Sequence, residues 1–259
     1  MPSPAATSSL LGRPVTTTDL LKFVGIVFVL VDHHGYFFDP TNMWWRLFGR
    51  VAAPIFFFLI GFAQTRRVPW TWLVFGAVLT AVTTWKAGTL SGTMVNILIN
   101  FAILRAIVLP LVERFVIPVP LAMALLVAVC LPLIPITDEP IEYGTEGWLW
   151  AFFGLGHRLA LTEGTPRAIL TRNALGAAAA TAYIVREVHD YGFTSVQTAI
   201  LFALVIAVCA ALVLFRRQPL ALQPPAPLAA LMRFCGRYSL EIYAITLFVS
   251  YIVAYAISA

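Results

Sequence analysis

TDLLKFVGIVFVLVDHHGYFF, residues 18–38, is an apolar run long enough to cross a bilayer, yet it holds Asp32, His33 and His34 beside Gly35. About 20 apolar residues cover a hydrocarbon core of about 30 Å. A charged side chain near the middle of that core costs about 2.5–3.5 kcal/mol on insertion scales, so a span that keeps one generally uses it. The competing reading ends the helix at Val31 and leaves Asp32 to Asp39 as an outer loop.

Outward from this run, apolar segments recur almost without pause. The chain is 60% hydrophobic and 11% charged, against roughly a quarter charged in soluble domains, and no connection is long enough to fold alone. The fold class this predicts is all-α, a polytopic transmembrane helix bundle forming a single domain over residues 1–259. Runs at roughly 19–38, 47–64, 69–86, 92–110, 119–136, 147–161, 168–185, 194–215 and 239–257 predict about nine spans. The first is read as a permanent span, because it holds Asp and His and no small-residue cleavage site follows it.

The formal charge of +5 does not point to nucleic acid, since the basic residues are dispersed at the ends of apolar runs. Cys130, Cys209 and Cys235 lie alone in separate apolar segments and read as small buried hydrophobes, and no metal site is expected. Arg13, Arg66, Arg67, Arg158, Arg167, Arg216, Arg217, Arg233 and Arg237 flank alternate connections, which places residues 1–17 as a cytoplasmic tail and residues 218–228 as a stiff, proline-rich cytoplasmic linker. The acidic stretch Asp138, Glu139, Glu142, Glu146 and the mixed loop Arg186, Glu187, His189, Asp190 fall on the opposite side.

At about 100° per residue, Asp19, Lys22 and His33 share one stripe of the first helix, with His33 about 16 Å along the axis from Lys22. Asp32 points about 100° away from His33, so in a regular helix it does not easily orient that ring. Arg46 and Arg50, four residues apart, share a face at the mouth of the second span; their guanidiniums suit a phosphate, a carboxylate, or an acid such as Asp32 or Asp39. Thr93, Asn96 and Asn100 share a face of the fourth span, as polar site residues or as interhelical glue, while Arg105 lies opposite and needs its own partner. His157, Arg158 and Arg172 lie on the cytoplasmic side, where they can meet a phosphorylated cofactor or simply anchor the chain.

Three segments together resemble a known family. Thr18-Asp19-Leu20-Leu21-Lys22 leading to Asp32-His33-His34-Gly35, then Gly49-Arg50-Val51-Ala52-Ala53-Pro54-Ile55-Phe56, then Gly236-Arg237-Tyr238-Ser239-Leu240-Glu241-Ile242-Tyr243 are similar, in order, to the motifs of the TraX family of conjugative pilin acetylases. That family is in turn similar to the acyltransferase type 3 and heparan-glucosaminide acetyltransferase superfamily of multispan enzymes. The resemblance implies that His33 is the catalytic histidine, His34 the variable position and Arg50 the family arginine. Thr246 stands where related acyltransferases often carry a second histidine, so any role for that residue is absent.

Acyl transfer from a thioester needs a base, an oxyanion stabiliser and an anchor for the CoA phosphates. The expectation is His33 as base with Asp32 or Asp19 biasing its tautomer, Arg50 or Asn100 facing the oxyanion, and Lys22, Arg66, Arg67, Arg158 and Arg172 toward acetyl-CoA or another acyl-CoA. An acyl-imidazole route on His33 stays open. So does the acceptor: pilin, glycan, lipid or small amine, met in the inner membrane of a bacterium, by a monomer or an oligomer. The alternatives from other classes are a proton-coupled transporter using Asp32, His33 and Arg50 as a relay, and a non-catalytic membrane scaffold.

Overall fold

The computed structural model describes residues 13–87, 94–116 and 120–258, so Thr93 and residues 1–12 of the expected tail lie outside the described residues. Helix α1, Thr17–Phe38, starts from a capping box in which the Asp19 N–H donates to Thr16 Oγ1 at 3.2 Å and the Thr16 N–H donates to Asp19 Oδ2 at 3.0 Å. It stays helical through Asp32, His33, His34 and Gly35, so the loop reading beyond Val31 does not hold.

The second predicted span is broken into α2, Met43–Gly49, and α3, Ala52–Phe62. Pro54 has no N–H to give to the Arg50 carbonyl four residues earlier, which accounts for a break at Arg50 and Val51. Then follow α4, Trp70–Ala87, and α5, Ile97–Ile103, which widens into a π turn at Leu104–Val108. After α6, Leu109–Leu111, comes a second π turn, Val112–Val116. Pro110 withholds the N–H that the Ala106 carbonyl would accept from in a regular helix, and so favours this irregularity.

Next are α7, Pro120–Thr137, α8, Gly144–Glu163, α9, Pro166–Tyr191, α10, Ser195–Leu214, and α11, Ala226–Ser258. Among the described residues there is no sheet, only isolated bridges at Thr16 with Pro219 and Val95 with Ile141. The all-α bundle is the predicted fold class. Among the described residues, five helices are by length and composition able to cross a membrane, Thr17–Phe38, Met43–Phe62, Pro166–Tyr191, Ser195–Leu214 and Ala226–Ile257, with shorter apolar helices at Trp70–Trp85 and Ala122–Thr137. The crossing-length helices keep large apolar side chains outward, such as Leu30, Leu170, Phe202 and Ile252, as a lipid-facing surface requires.

The chain divides into two compact units, Met1–Ala52 with Leu214–Ala259, and Ala53–Val213. In the first, α1 packs along α11 and α2. A Cβ at Gly236 would lie 2.1 Å from Asp19 Oδ1, so α11 approaches α1 there because that residue has no side chain. Two residues on, Tyr238 leaves helical geometry at φ −111° and ψ 24°, where the sequence places the start of the last span. The proline-rich segment is tied down rather than merely stiff: the Leu220 N–H donates to the Val15 carbonyl at 2.9 Å, and the Val15 N–H to Gln223 Oε1 at 2.8 Å.

In the second unit α8 is buried on nearly every side, with Leu149, Trp150, Ala151, Phe152 and Phe153 at most 1% exposed, which makes it a core helix rather than a lipid-facing one. Helices α3 and α8 meet backbone to backbone. A Cβ on Gly61 would fall 1.8 Å from the Ala151 carbonyl oxygen, and one on Gly154 2.0 Å from that of Phe58.

Candidate active site

The stripe expected on α1 faces α11. His33 is buried, its ring 5.6 Å between centroids from Tyr243 and 6.3 Å from Phe37, and its Nδ1 has no hydrogen-bond partner. His34 is exposed and rests its ring edge against Trp45 at 4.7 Å.

Asp32 turns away from His33, as its position on the wheel requires. Its Oδ2 accepts from Arg46 Nη1 at 2.7 Å, and its Oδ1 from Arg50 Nη2 at 2.5 Å and Arg50 Nε at 3.2 Å. This tripartite ion cluster is mostly buried, with side-chain exposures of 12% for Arg46, 9% for Arg50 and 15% for Asp32. Two glycines make it sterically feasible. A Cβ at Gly49 would stand 2.4 Å from Asp32 Cβ, and one at Gly35 2.4 Å from Trp45 Cβ, so α1 and α2 close on each other only through bare backbone. The Asp-His-x-Gly and Gly-Arg motifs therefore read as one packed corner.

Several expected site residues have other occupations. No hydrogen bond joins Asp32 to His33, so Asp32 acts on the ring through space rather than by holding a tautomer. Asp19 is held by Arg13 at 2.9 Å and by the capping box, and it lies 14 residues before His33, about 21 Å along the helix, too far to orient the ring. Lys22 donates to the Gly236 carbonyl at 2.8 Å in the same unit. Asn100 is fully buried and committed within the second unit, donating to the Glu142 carbonyl at 2.9 Å and accepting from Trp148 Nε1 at 2.8 Å. It is the interhelical glue that such a residue often is.

The arginines that the sequence places on the cytoplasmic side separate into two groups. Arg66 Nη2 donates to Glu113 Oε2 at 2.9 Å, and Arg158 pairs with the other oxygen of the same carboxylate. Arg158 also donates to the Ala63 carbonyl at 2.9 Å and Arg105 to the Thr65 carbonyl at 3.0 Å, just past the end of α3 where carbonyls lack helical donors. Arg105 lies over the Trp72 ring, which supplies the partner the sequence said it needed. Arg67 and Arg172 are outside this cluster: Arg67 is exposed, and both Nε and Nη2 of Arg172 donate to Asn173.

The two segments that the sequence puts on one side do meet. Asp138, just beyond α7, accepts from Arg186 at 2.6 Å, while its Oδ1 is buried without a partner. Arg186 also holds Asp190 one turn on, which extends α9 to Tyr191, past the predicted end at 185. Burial outweighs Arg186 and, with Asp190 nearby, pushes the Asp138 carboxyl up to about 6. The folded chain then keeps a proton that the unfolded chain releases, so this contribution is full below about pH 4 and lost as pH rises through about 6. Melting temperature in detergent, compared between wild type and Asp138→Asn, is expected to show a fall across that window that the variant lacks.

Tyr243 beside His33, and Glu113 beside Arg66 and Arg158, are the neighbours that sequence reasoning missed. The only signal for Glu113 was an acid at the end of an apolar run on the arginine-rich side; Tyr243 stood in the closing motif without a reason to single it out. The family model described as TraX protein matches residues 17–253, while no curated protein and no solved structure matches. With a match over nearly its whole length, taking in the α1–α2 corner and the helix that carries Tyr243, the chain belongs to the TraX family.

Proposed function

We propose that this protein is an integral membrane acetyltransferase of the bacterial inner membrane, its amino terminus cytoplasmic, which moves an acetyl group from acetyl-CoA to an acceptor amine or hydroxyl. The observation that carries the reading is His33: an imidazole buried in a membrane-crossing helix, with an uncommitted Nδ1, beside an ion cluster with more positive than negative charge. The association of the TraX family with pilin acetylation supports the same chemistry, and pilin, glycan, lipid and small amine all remain acceptor classes for it.

In this mechanism His33 takes the proton from the acceptor N–H or O–H as that atom attacks the thioester carbonyl, and returns it to the departing CoA sulfur. Arg46 and Arg50 exceed Asp32 by one charge, and this surplus favours the tetrahedral oxyanion. The guanidiniums of Arg66 and Arg158 suit the CoA phosphates, because Arg66 Nε and Nη1 are buried donors without an acceptor and fit an anion. Arg67 and Arg172 add exposed positive charge to the same unit, and Lys22 is assigned to packing.

Acetyl-CoA binding is tested by the melting temperature of the purified chain. A ligand at 100 times its Kd stabilises by about 2.7 kcal/mol, so acetyl-CoA is expected to raise the melting temperature by several degrees. No rise at millimolar acetyl-CoA would sink the proposal, and solute uptake into proteoliposomes without CoA dependence would support a carrier instead.

A further inference from the structure

We propose that Glu113 is a built-in placeholder for phosphate in the Arg66–Arg158 clamp, so that the site takes a multiply charged phosphate only by displacing this carboxylate and rejects singly charged anions. The proposal rests on the acetyl-CoA reading of those arginines, and names the residue that controls their access.

The clamp is built so that one carboxylate bridges two guanidiniums, Glu113 Oε2 to Arg66 and Oε1 to Arg158. A phosphate offers the same pair of oxygens with a third to spare. Spare donors wait for it, since Arg66 Nε and Nη1 are buried and unpartnered, and a carboxylate already using both oxygens leaves them unserved. Leaving such donors dry is costly, more so for a charged group than for a neutral one, and a better-matched anion recovers that cost.

The arginines and the carboxylate differ in how firmly they are held. Arg158 is anchored on the core helix α8 and to the Ala63 carbonyl, with a side chain 10% exposed. The Glu113 side chain is 40% exposed and stands on the π turn Val112–Val116. Such turns are local departures from helical hydrogen bonding and recur at functional sites. Arg105 occupies the same second position of the preceding π turn, Leu104–Val108, and acts electrostatically on Arg66, so Glu113 neutralises one of three nearby guanidiniums. A carboxylate 40% exposed, facing the anchored Arg158 and the less exposed Arg66, is the member that leaves.

Competition of this kind lowers apparent affinity by the fraction of molecules whose clamp is open. The test is isothermal titration of the full-length detergent-purified chain with inorganic pyrophosphate, with acetate as the singly charged probe, for wild type, Glu113→Gln and Arg66→Gln. Glu113→Gln is expected to bind pyrophosphate about tenfold more tightly than wild type and to bind acetate measurably, while Arg66→Gln loses pyrophosphate binding. Unchanged or weaker pyrophosphate binding in a Glu113→Gln protein with wild-type melting temperature would overturn the proposal. If that variant melts early, Glu113→Asp takes its place, and the shorter side chain is expected to shift pyrophosphate affinity upward in the same way; no shift overturns the proposal. Tighter pyrophosphate binding in a protein without acetyl transfer would leave the clamp standing and remove the enzymatic reading. Normal transfer with unaltered pyrophosphate affinity would do the reverse.

Discussion

His33→Ala lowers the rate of acetyl transfer by at least about 10²-fold while leaving the thermal shift by acetyl-CoA in place, because general base catalysis contributes about 10²–10⁴-fold and the ring is not assigned to holding the phosphates. The ring is well placed for such a separation. It is buried against Tyr243 and Phe37, with Nδ1 uncommitted, so its removal breaks no hydrogen bond at that atom. His33→Gln, closer in volume, is expected to melt near wild type and to be as inactive as the alanine variant, which separates lost chemistry from lost packing. His34→Ala, on the exposed side of the same turn, is expected to keep most of the activity. A His33→Ala enzyme as fast as wild type would remove the residue from the mechanism.

Asp32→Ala is expected to destabilise the protein by about 3–5 kcal/mol, since it removes the carboxylate that two largely buried guanidiniums share. The direction of the asymmetry is specific. Arg46→Ala leaves Asp32 still held twice by Arg50 and should cost less, and the double variant Asp32→Ala with Arg50→Ala should be less damaged than the sum of the two single changes. Reversible denaturation in mixed micelles reads all of these. Additive losses would show that the cluster does not act as a unit.

The amount of this architecture legible beforehand differs by element. The α1 stripe was readable because 100° spacing is local geometry: Asp19, Lys22 and His33 do all turn toward α11, with contacts at Gly236 and Tyr243. The divergence of Asp32 from His33 followed from the same rule. What the wheel could not choose was the partner of Arg46 and Arg50, because a carboxylate within the chain and one from a ligand have the same chemistry.

The break at Arg50 and Val51 follows from the N–H that Pro54 lacks, which the motif reading did not use, and the closeness at Gly35, Gly49 and Gly236 is a three-dimensional fact that no local spacing carries. Helix α8 read as a short span because apolar content alone does not separate lipid from protein interior as surroundings; its burial on nearly every side decides that. Glu113 escaped for a related reason. An acid at the end of an apolar run looks solvated until the arginines that flank it are placed beside it.

The most direct test of the account is CoA release from acetyl-CoA by the purified protein in nanodiscs, followed as free thiol, with wild type and His33→Gln side by side and an amine or hydroxyl acceptor supplied. The account predicts acceptor-stimulated thiol release by wild type and background release by His33→Gln. Equal release by the two proteins, or none by wild type while it moves a solute across a vesicle membrane, would contradict it.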